Sequence, residues 1–204
     1  MPSTLSVLLG RAALVLLLLP ACKPAVSAPA ADTAAPEPVA AEPATAEPAV
    51  GRPTAVFVVR HGEKADDDPR DPTLSAAGQA RARALATSLA QAGVTHLFTS
   101  EFRRTQATLR PLADAVKLEP VVIPAADQAA LTTAIEALPA GSVVVVAGHS
   151  NTVPALVTAL GGEARGTVAS PAGPVLPDDA YDRVFLVIRP ARGPVQTLEL
   201  RQTP

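Results

Sequence analysis

Two histidines follow valine-rich runs at separate places in the chain. Residues 56–64 read Val-Phe-Val-Val-Arg-His-Gly-Glu-Lys, so His61 stands between the fixed positive charge of Arg60 and a glycine. A second run, residues 143–148, ends in the same way on His149. Apolar runs of this length predict buried strands of a parallel sheet, and such sheets build ligand sites at the carboxyl ends of their strands. The two histidines are therefore expected to share one anion-binding site.

The residue types around these histidines fit phosphoryl transfer without a metal, which needs a nucleophile and cationic groups for the phosphate oxygens. His61 is a plausible nucleophile, because neutral imidazole attacks phosphorus and the resulting phosphoramidate is easily hydrolysed. Arg60 and Arg104 offer planar donors that match phosphate oxygens. His149 could donate to the same group, and a helix beginning just beyond it would add amide donors. Gly62, and the glycine that precedes His149, would leave room for the phosphate.

Each of these residues also has a structural interpretation. A His-Gly pair at a strand end is common, and Arg104 could be a solvated charge at the start of an amphipathic helix. Glu63 and Lys64 could form no more than a surface ion pair, and His96 is interpreted as structural. With three histidines, one cysteine and no His-x-x-x-His spacing, the chain offers no good ligand set, so neither a metal nor another cofactor is expected.

The segment 54–204 alternates strand and helix patterns. Ser75 is expected to cap the first helix, and Pro111 to bend or restart the second. A closing pair of strands is expected near the carboxyl end. The order predicts a three-layer α/β/α domain whose mostly parallel sheet has helices on both faces. The expected strands are residues 55–60, 96–100, 121–123, 143–147, 183–189 and 195–201, and the helices are near 75–91, 102–116 and 131–138, with a fourth after residue 150.

The first 53 residues differ from this domain in composition. The apolar stretch 12–19 is shorter than the about 20 residues that cross a bilayer, and the following Leu-Pro-Ala-Cys resembles the lipobox of bacterial lipoproteins. Residues 1–22 are therefore expected to be a signal peptide with Cys22 lipidated; an unlipidated signal or an uncleaved anchor are the alternatives. Residues 23–53, rich in Pro and Ala, are expected to be a disordered tether. The expected location is the bacterial cell envelope, with membrane contact through the lipid anchor.

Four motifs occur in order along the folded segment. This ordered set resembles the histidine phosphatase superfamily, also called phosphoglycerate mutase-like, of the branch 1 type. The resemblance covers roughly residues 54–160 and implies a phosphoglycerate mutase-like fold with His61 as the phosphorylated residue. The motifs are Arg-His-Gly at 60–62, Leu-Ser-x-x-Gly at 74–78, Ser-Glu-Phe-Arg-Arg-Thr-Gln-Ala-Thr at 100–108 and Gly-His-Ser at 148–150.

The resemblance implies roles for particular residues of this chain. Arg104 is preferred over Arg103, because the motif then aligns on Gln106 and Thr108. The phosphate pocket would be formed by Arg60, Gly62, Arg104, His149 and Ser150.

The general acid is the point where this chain departs from the family pattern. Many members carry a glutamate in a Glu-x-x-x-Gly segment after the third strand, whereas residues 123–128 read Ile-Pro-Ala-Ala-Asp-Gln here. Asp127 is the nearest carboxylate and is the candidate acid, unless it merely caps the next helix. Glu63 or a carboxylate of residues 66–68 are alternatives. A further alternative is a substrate that needs little help from an acid, such as a phosphoramidate or an ester with a good leaving group.

Charge and length narrow the expected function. The net charge of −2 and the absence of a dense basic run give no reason to expect a nucleic-acid partner. The motifs lack large insertions between them, which predicts a shallow site and favours a phosphatase over a mutase. We therefore expect an enzyme of the histidine acid phosphatase type, which hydrolyses phosphate monoesters or phosphoramidates of small molecules or phosphoproteins. The alternative is an envelope-tethered module that binds phosphorylated ligands without turnover.

Overall fold

The computed structural model of the protein describes residues 51–203. The expected signal peptide, Cys22 and the tether up to residue 50 lie outside the described residues. No helix within residues 51–203 combines the length and the apolar character needed to cross a membrane. The elements are, in order, β1 Thr54–Arg60, α1 Ala76–Leu89, β2 His96–Thr99, α2 Arg103–Val116, β3 Val121–Val122, α3 Gln128–Glu136, β4 Val143–Gly148, α4 Thr152–Ala159, β5 Arg183–Arg189 and β6 Gln196–Arg201.

The six strands form one sheet in the order β3-β2-β4-β1-β5-β6. The first four of these are parallel to one another, whereas β5 is antiparallel to β1 and β6 to β5. Strands β1 and β4 are direct neighbours, and their register pairs Arg60 with Gly148. Both strands therefore end at the same level, which puts the residues that follow them, His61 and His149, side by side at one edge of the sheet.

Helices cover both faces of this sheet and explain why β1 is apolar on both of its faces. On one face, the helices α1 and α2 pack on residues such as Val59 and Val145. On the other, α3 and α4 pack on residues such as Val58 and Val146. Burying each such side chain contributes about 1.5–3 kcal/mol. The prediction of a three-layer, mostly parallel α/β/α domain is confirmed.

Helix α1 begins where the sequence predicts. The side chain of Ser75 accepts a hydrogen bond from the backbone N–H of Gly78 at 3.2 Å and so satisfies a free donor of the first turn. The next helix differs from expectation, because α2 continues through Pro111 without restarting. A proline inside a helix removes one backbone hydrogen bond, and the complete burial of Leu109 and Leu112 on either side offsets that loss.

Candidate active site

The structure brings His61 and His149 together at the carboxyl ends of β1 and β4. The backbone N–H of His61 donates to the carbonyl of Gly148 at 2.9 Å, which extends the pairing of the two strands by one residue. The imidazole centroids are 5.4 Å apart, and the ring planes are inclined by 66°. Both residues are buried. Two histidines that are remote in sequence thus form one site, as the strand pattern predicts.

The hydrogen bond of the His61 ring determines which of its nitrogens can act as a nucleophile. Its Nδ1 lies 2.7 Å from the carbonyl oxygen of Gly62. Because a carbonyl oxygen only accepts hydrogen bonds, Nδ1 must carry the proton of the neutral ring. Nε2 is left unprotonated, with its lone pair available.

Both imidazoles are held neutral by their surroundings. Burial is the main reason that the pKa of His61 falls to about 3, with smaller contributions from the positive charges nearby, while the bond to Gly62 acts in the opposite direction. Burial, followed by the charge of Arg104, lowers the pKa of His149 to about 4. At neutral pH, each ring therefore carries one proton, and His61 is in the form that can attack phosphorus.

Arg60 is fixed by the loop that connects α4 to β5. Its Nη1 donates to the carbonyls of Pro177 at 2.9 Å and Asp178 at 3.0 Å. Its guanidinium lies over the ring of Tyr181, 4.1 Å from the centroid, and Nη2 donates to the phenolic oxygen of that residue at 3.4 Å. The Nε–H has no acceptor among the described residues. The positive charge is thus held in place while part of its donor capacity is unused.

Arg104 lies at the start of α2 and approaches the histidines from another side. Its guanidinium stacks over the Phe102 ring at 4.2 Å, and Nη1 lies 3.4 Å from Asp71 Oδ1. Its Nε–H also lacks an acceptor among the described residues. The neighbouring Arg103 is half exposed and pairs with Asp68 and Asp71. The structure therefore agrees with the selection of Arg104 over Arg103.

These groups face a common polar cleft of about 530 Å³. The cleft brings together four of the five residues predicted to form the phosphate pocket, including Ser150 at the start of the turn into α4, and Gly62 does not line it. It is lined by Arg60, His61, Lys64, Glu101, Phe102, Arg104, Ala125, Ala126, His149, Ser150, Asn151, Thr152 and Asp178.

The surroundings of Gly62 differ from the expectation. Its N–H donates to Thr108 Oγ1 at 2.9 Å, and a Cβ built on it would lie 2.8 Å from the carbonyl oxygen of Gly78. Gly148 is similar, because an added Cβ would lie 2.7 Å from Thr152 Oγ1. The space beside both glycines is therefore filled by the protein, and the expectation that they leave room for the phosphate is wrong.

The carboxylates that the sequence offers as acids do not line the cleft. Asp127 is exposed and caps α3, where its Oδ1 accepts from the Ala130 N–H at 2.9 Å. Glu63 binds Arg81 through both oxygens, at 3.1 and 3.0 Å from Nε. Hydrogen bonding to that guanidinium is the main reason that the pKa of Glu63 is lowered.

Two of the three acidic residues 66–68, Asp67 and Asp68, are likewise held by hydrogen bonds within their own loop. Hydrogen bonds from the side chain and backbone of Thr73 lower the pKa of Asp67, and backbone N–H groups of the same loop lower the pKa of Asp68. The described residues hold no cluster of three or more His, Cys, Asp or Glu side chains suited to a metal ion.

Several residues of the site were not predicted. Ser100 Oγ lies 3.0 Å from His149 Nε2 and 2.8 Å from Thr105 Oγ1. Ser100 and Thr105 both belong to the 100–108 motif, and their spacing in that motif could have indicated that they lie together at the start of α2. Tyr181 had no such signal, because it contacts Arg60 across 121 residues of sequence.

Comparison with known proteins agrees with this geometry. Residues 56–127, which include His61 and Arg104, match the histidine phosphatase superfamily (branch 1). The comparisons support this superfamily. A probable phosphoglycerate mutase GpmB from Yersinia enterocolitica is 39% identical over 75 residues, which are 34% of this chain and 35% of that protein. The match thus spans about a third of that relative's length.

Solved structures share the fold, in agreement with the expected phosphoglycerate mutase-like architecture. The protein histidine phosphatase SixA complexed with tungstate is 22% identical, with a TM-score of 0.53, and the alignment covers 72% of this chain and 96% of SixA. A structure described as mycobacterial hydrolase 2 is 14% identical, with a TM-score of 0.56 over 75% of this chain and 93% of that one. At these identities, the likeness establishes the fold.

Proposed function

We propose that this domain is a metal-independent phosphatase that hydrolyses phosphate monoesters or phosphoramidates through a phosphohistidine on His61. The observation that carries the proposal is the neutral imidazole of His61, whose Nδ1 is bonded to the Gly62 carbonyl and whose Nε2 is free. It stands in the cleft that also contains Arg60 and Arg104.

In the first step, the Nε2 lone pair attacks phosphorus as the bond to the leaving group breaks. Arg60 and Arg104 stabilise the negative charge on the equatorial oxygens. Their positions before the substrate arrives are set by Tyr181 and Phe102, respectively. In the second step, water attacks the phosphorus, the P–N bond breaks, and His61 returns to its neutral form.

His149 is proposed to donate a hydrogen bond to the phosphoryl group. In the arrangement that this role needs, Ser100 donates to His149 Nε2 at 3.0 Å, while the Thr105 hydroxyl donates to the Phe102 carbonyl at 2.8 Å. In that arrangement, the neutral ring carries its proton on Nδ1. Ser150, which follows His149, lines the same cleft.

The substrate panel should contain both esters and phosphoramidates. Phosphohistidine peptides belong in it because one structural relative is a protein histidine phosphatase. The conversion of one phosphoglycerate isomer into another should also be measured, because the Yersinia relative is described as a probable phosphoglycerate mutase.

We further propose that the domain is exported and held at the bacterial envelope by a lipid on Cys22. The support is the apolar stretch followed by Leu-Pro-Ala-Cys and the Pro-rich segment after it. Labelling cells with a fatty-acid probe tests this, since Cys22→Ser should lose the label and leave the membrane fraction. An unlabelled wild-type protein would contradict it.

Turnover of an aryl phosphate tests the enzymatic proposal. The purified protein should hydrolyse it equally with and without EDTA, and His61→Ala should abolish the activity. His96→Ala is the matched control, because this histidine lies outside the cleft and bonds only the neighbouring Thr95 side chain. A folded wild-type protein that binds vanadate without turnover would support the binding-module alternative instead.

A further inference from the structure

The proposed phosphatase still needs a proton donor for esters whose leaving group is an alkoxide. None of the carboxylates that the sequence suggested for this task lines the cleft. Among the described residues, the carboxylates that do line it are Glu101 and Asp178. The two are therefore the candidates that the structure presents.

Glu101 is part of the turn that holds the site together. It follows Ser100, whose hydroxyl contacts His149, and precedes Phe102, whose ring packs edge-on against the His149 ring with centroids 5.1 Å apart. Its carboxylate is therefore attached to the same short segment that fixes the second histidine and begins the helix carrying Arg104.

A backbone hydrogen bond orients the Glu101 carboxylate. Oε2 accepts from the N–H of Ala125 at 2.8 Å, and Ala125 lies in the loop that also lines the cleft. The other oxygen, Oε1, has no partner among the described residues. One oxygen is thus anchored to the cleft wall, and the other is available to a substrate.

The electrostatics place Glu101 on the site side of this turn. In its carboxylate form, Glu101 raises the pKa of His149 against the effect of burial, and it also raises the pKa of Arg104. Asp178 has no comparable influence on these groups. Its contribution is the backbone carbonyl that accepts from Arg60 at 3.0 Å.

We propose that Glu101 is the general acid of this site, an inference that rests on the proposed phosphohistidine mechanism. The proton on Glu101 Oε1 passes to the leaving oxygen as the P–O bond breaks and the bond from His61 Nε2 to phosphorus forms. The resulting carboxylate then takes a proton from the attacking water as the P–N bond breaks. This returns both Glu101 and His61 to their starting forms.

The dependence of kcat on the leaving group distinguishes a proton donor from a structural residue. The full chain and its Glu101→Gln variant are compared on an aryl phosphate and on an alkyl phosphate such as glycerol phosphate. Glutamine keeps an oxygen for the Ala125 N–H but has no acidic proton. We expect kcat on the alkyl ester to fall by about 100-fold or more and kcat on the aryl ester by less than about 10-fold, because a phenolate leaves without protonation.

Asp127→Asn is the matched control, because Asp127 caps α3 and does not line the cleft, and it should stay within about threefold of wild type on both substrates. Equal losses on the two substrates in Glu101→Gln, or no loss on the alkyl ester, would overturn the assignment. A wild-type protein that cleaves the aryl ester alone would also overturn it and leave the phosphohistidine mechanism intact. Activity of His61→Ala on the aryl ester would instead contradict the phosphohistidine mechanism itself.

Discussion

The rings of His61 and His149 lie edge to face with their centroids 5.4 Å apart, although 87 residues of sequence separate them. Their proximity follows from the parallel pairing of β1 and β4, in which Arg60 is opposite Gly148. The sheet register is therefore what assembles the site.

Acid should destabilise the protein through these two rings. Their pKa values are about 3 and about 4 in the folded state, below the ordinary value of 6.5. At pH values between the folded-state pKa and the ordinary pKa of 6.5, the unfolded chain binds more protons than the folded one. The free energy of unfolding therefore falls as the pH falls. The slope is at most about 1.4 kcal/mol per pH unit for each histidine. Urea unfolding at about pH 7 and about pH 5 measures it.

The control for this prediction is the double variant His61→Ala and His149→Ala. It should lose less stability than the wild type over the same interval. A double variant with the wild-type slope would show that other groups cause the acid sensitivity.

Asp71 should act on phosphate binding through Arg104. It lies 3.4 Å from Arg104 Nη1 and also accepts the backbone N–H of Arg103 at 3.1 Å. Asp71→Ala removes both contacts, and we expect vanadate to bind about 10-fold more weakly, a change of about 1.4 kcal/mol. Vanadate inhibition of aryl phosphate hydrolysis measures the loss.

Asp114→Ala is the matched control for Asp71→Ala, because Asp114 forms a solvent-exposed pair with Arg110 on the same helix. Such exposed pairs are worth about 0–1 kcal/mol. Unchanged vanadate affinity in Asp71→Ala would refute the proposed positioning role.

Gly78→Ala should disturb the site from a distance. An added Cβ would lie 2.8 Å from the backbone nitrogen of Glu63, and backbone cannot move aside as a flexible side chain does. We expect a loss of about 1–3 kcal/mol in unfolding free energy and reduced turnover, since Glu63 is two residues from His61. Thr87→Ala, an exposed change in the same helix, should alter stability by less than about 0.5 kcal/mol. Equal stability of the two variants would contradict the steric argument.

The ion pair between the buried Arg183 and the partly exposed Glu199 should contribute to stability without affecting the site. Arg183 is 4% exposed and donates to Glu199 at 2.8 Å from Nε and 2.7 Å from Nη2. Removing one partner of such a pair costs about 3–5 kcal/mol. Because Glu199 is partly exposed, we expect Glu199→Ala to lose about 2–3 kcal/mol.

Glu163→Ala is the control for Glu199→Ala, because Glu163 pairs with Arg165 at the surface. Thermal unfolding and aryl phosphate turnover are measured on both variants. A Glu199→Ala protein as stable as the Glu163→Ala protein would show that the pair between Arg183 and Glu199 is not stabilising.

Much of the fold and half of the site were predictable because their signals are local. Valine runs that end on His61 and His149 identify two buried strands, and the edge of a parallel sheet then brings the histidines together. Ser75 was recognisable as a helix cap from its neighbours alone. Arg104 was selected from the spacing of one motif.

The remaining features depend on contacts between distant segments. Arg60 is held by Tyr181 and by two backbone carbonyls that lie more than 115 residues away in the sequence. At Gly62 and Gly78 two backbone segments pack closely against each other, and the sequence alone does not reveal why both positions need glycine. Asp127 is a candidate acid by its position in the sequence, but that position does not determine the direction of its side chain, which caps α3.

Trapping the intermediate tests the central claim most directly. The protein is mixed with a labelled aryl phosphate, quenched in alkali within one turnover, and digested for mass spectrometry. Since His61 Nδ1 is bonded to the Gly62 carbonyl, the phosphoryl group should be found on His61 at Nε2 and should be absent from the His61→Ala protein. Turnover with no phosphate on His61, or a phosphoryl group on another residue, would contradict the account.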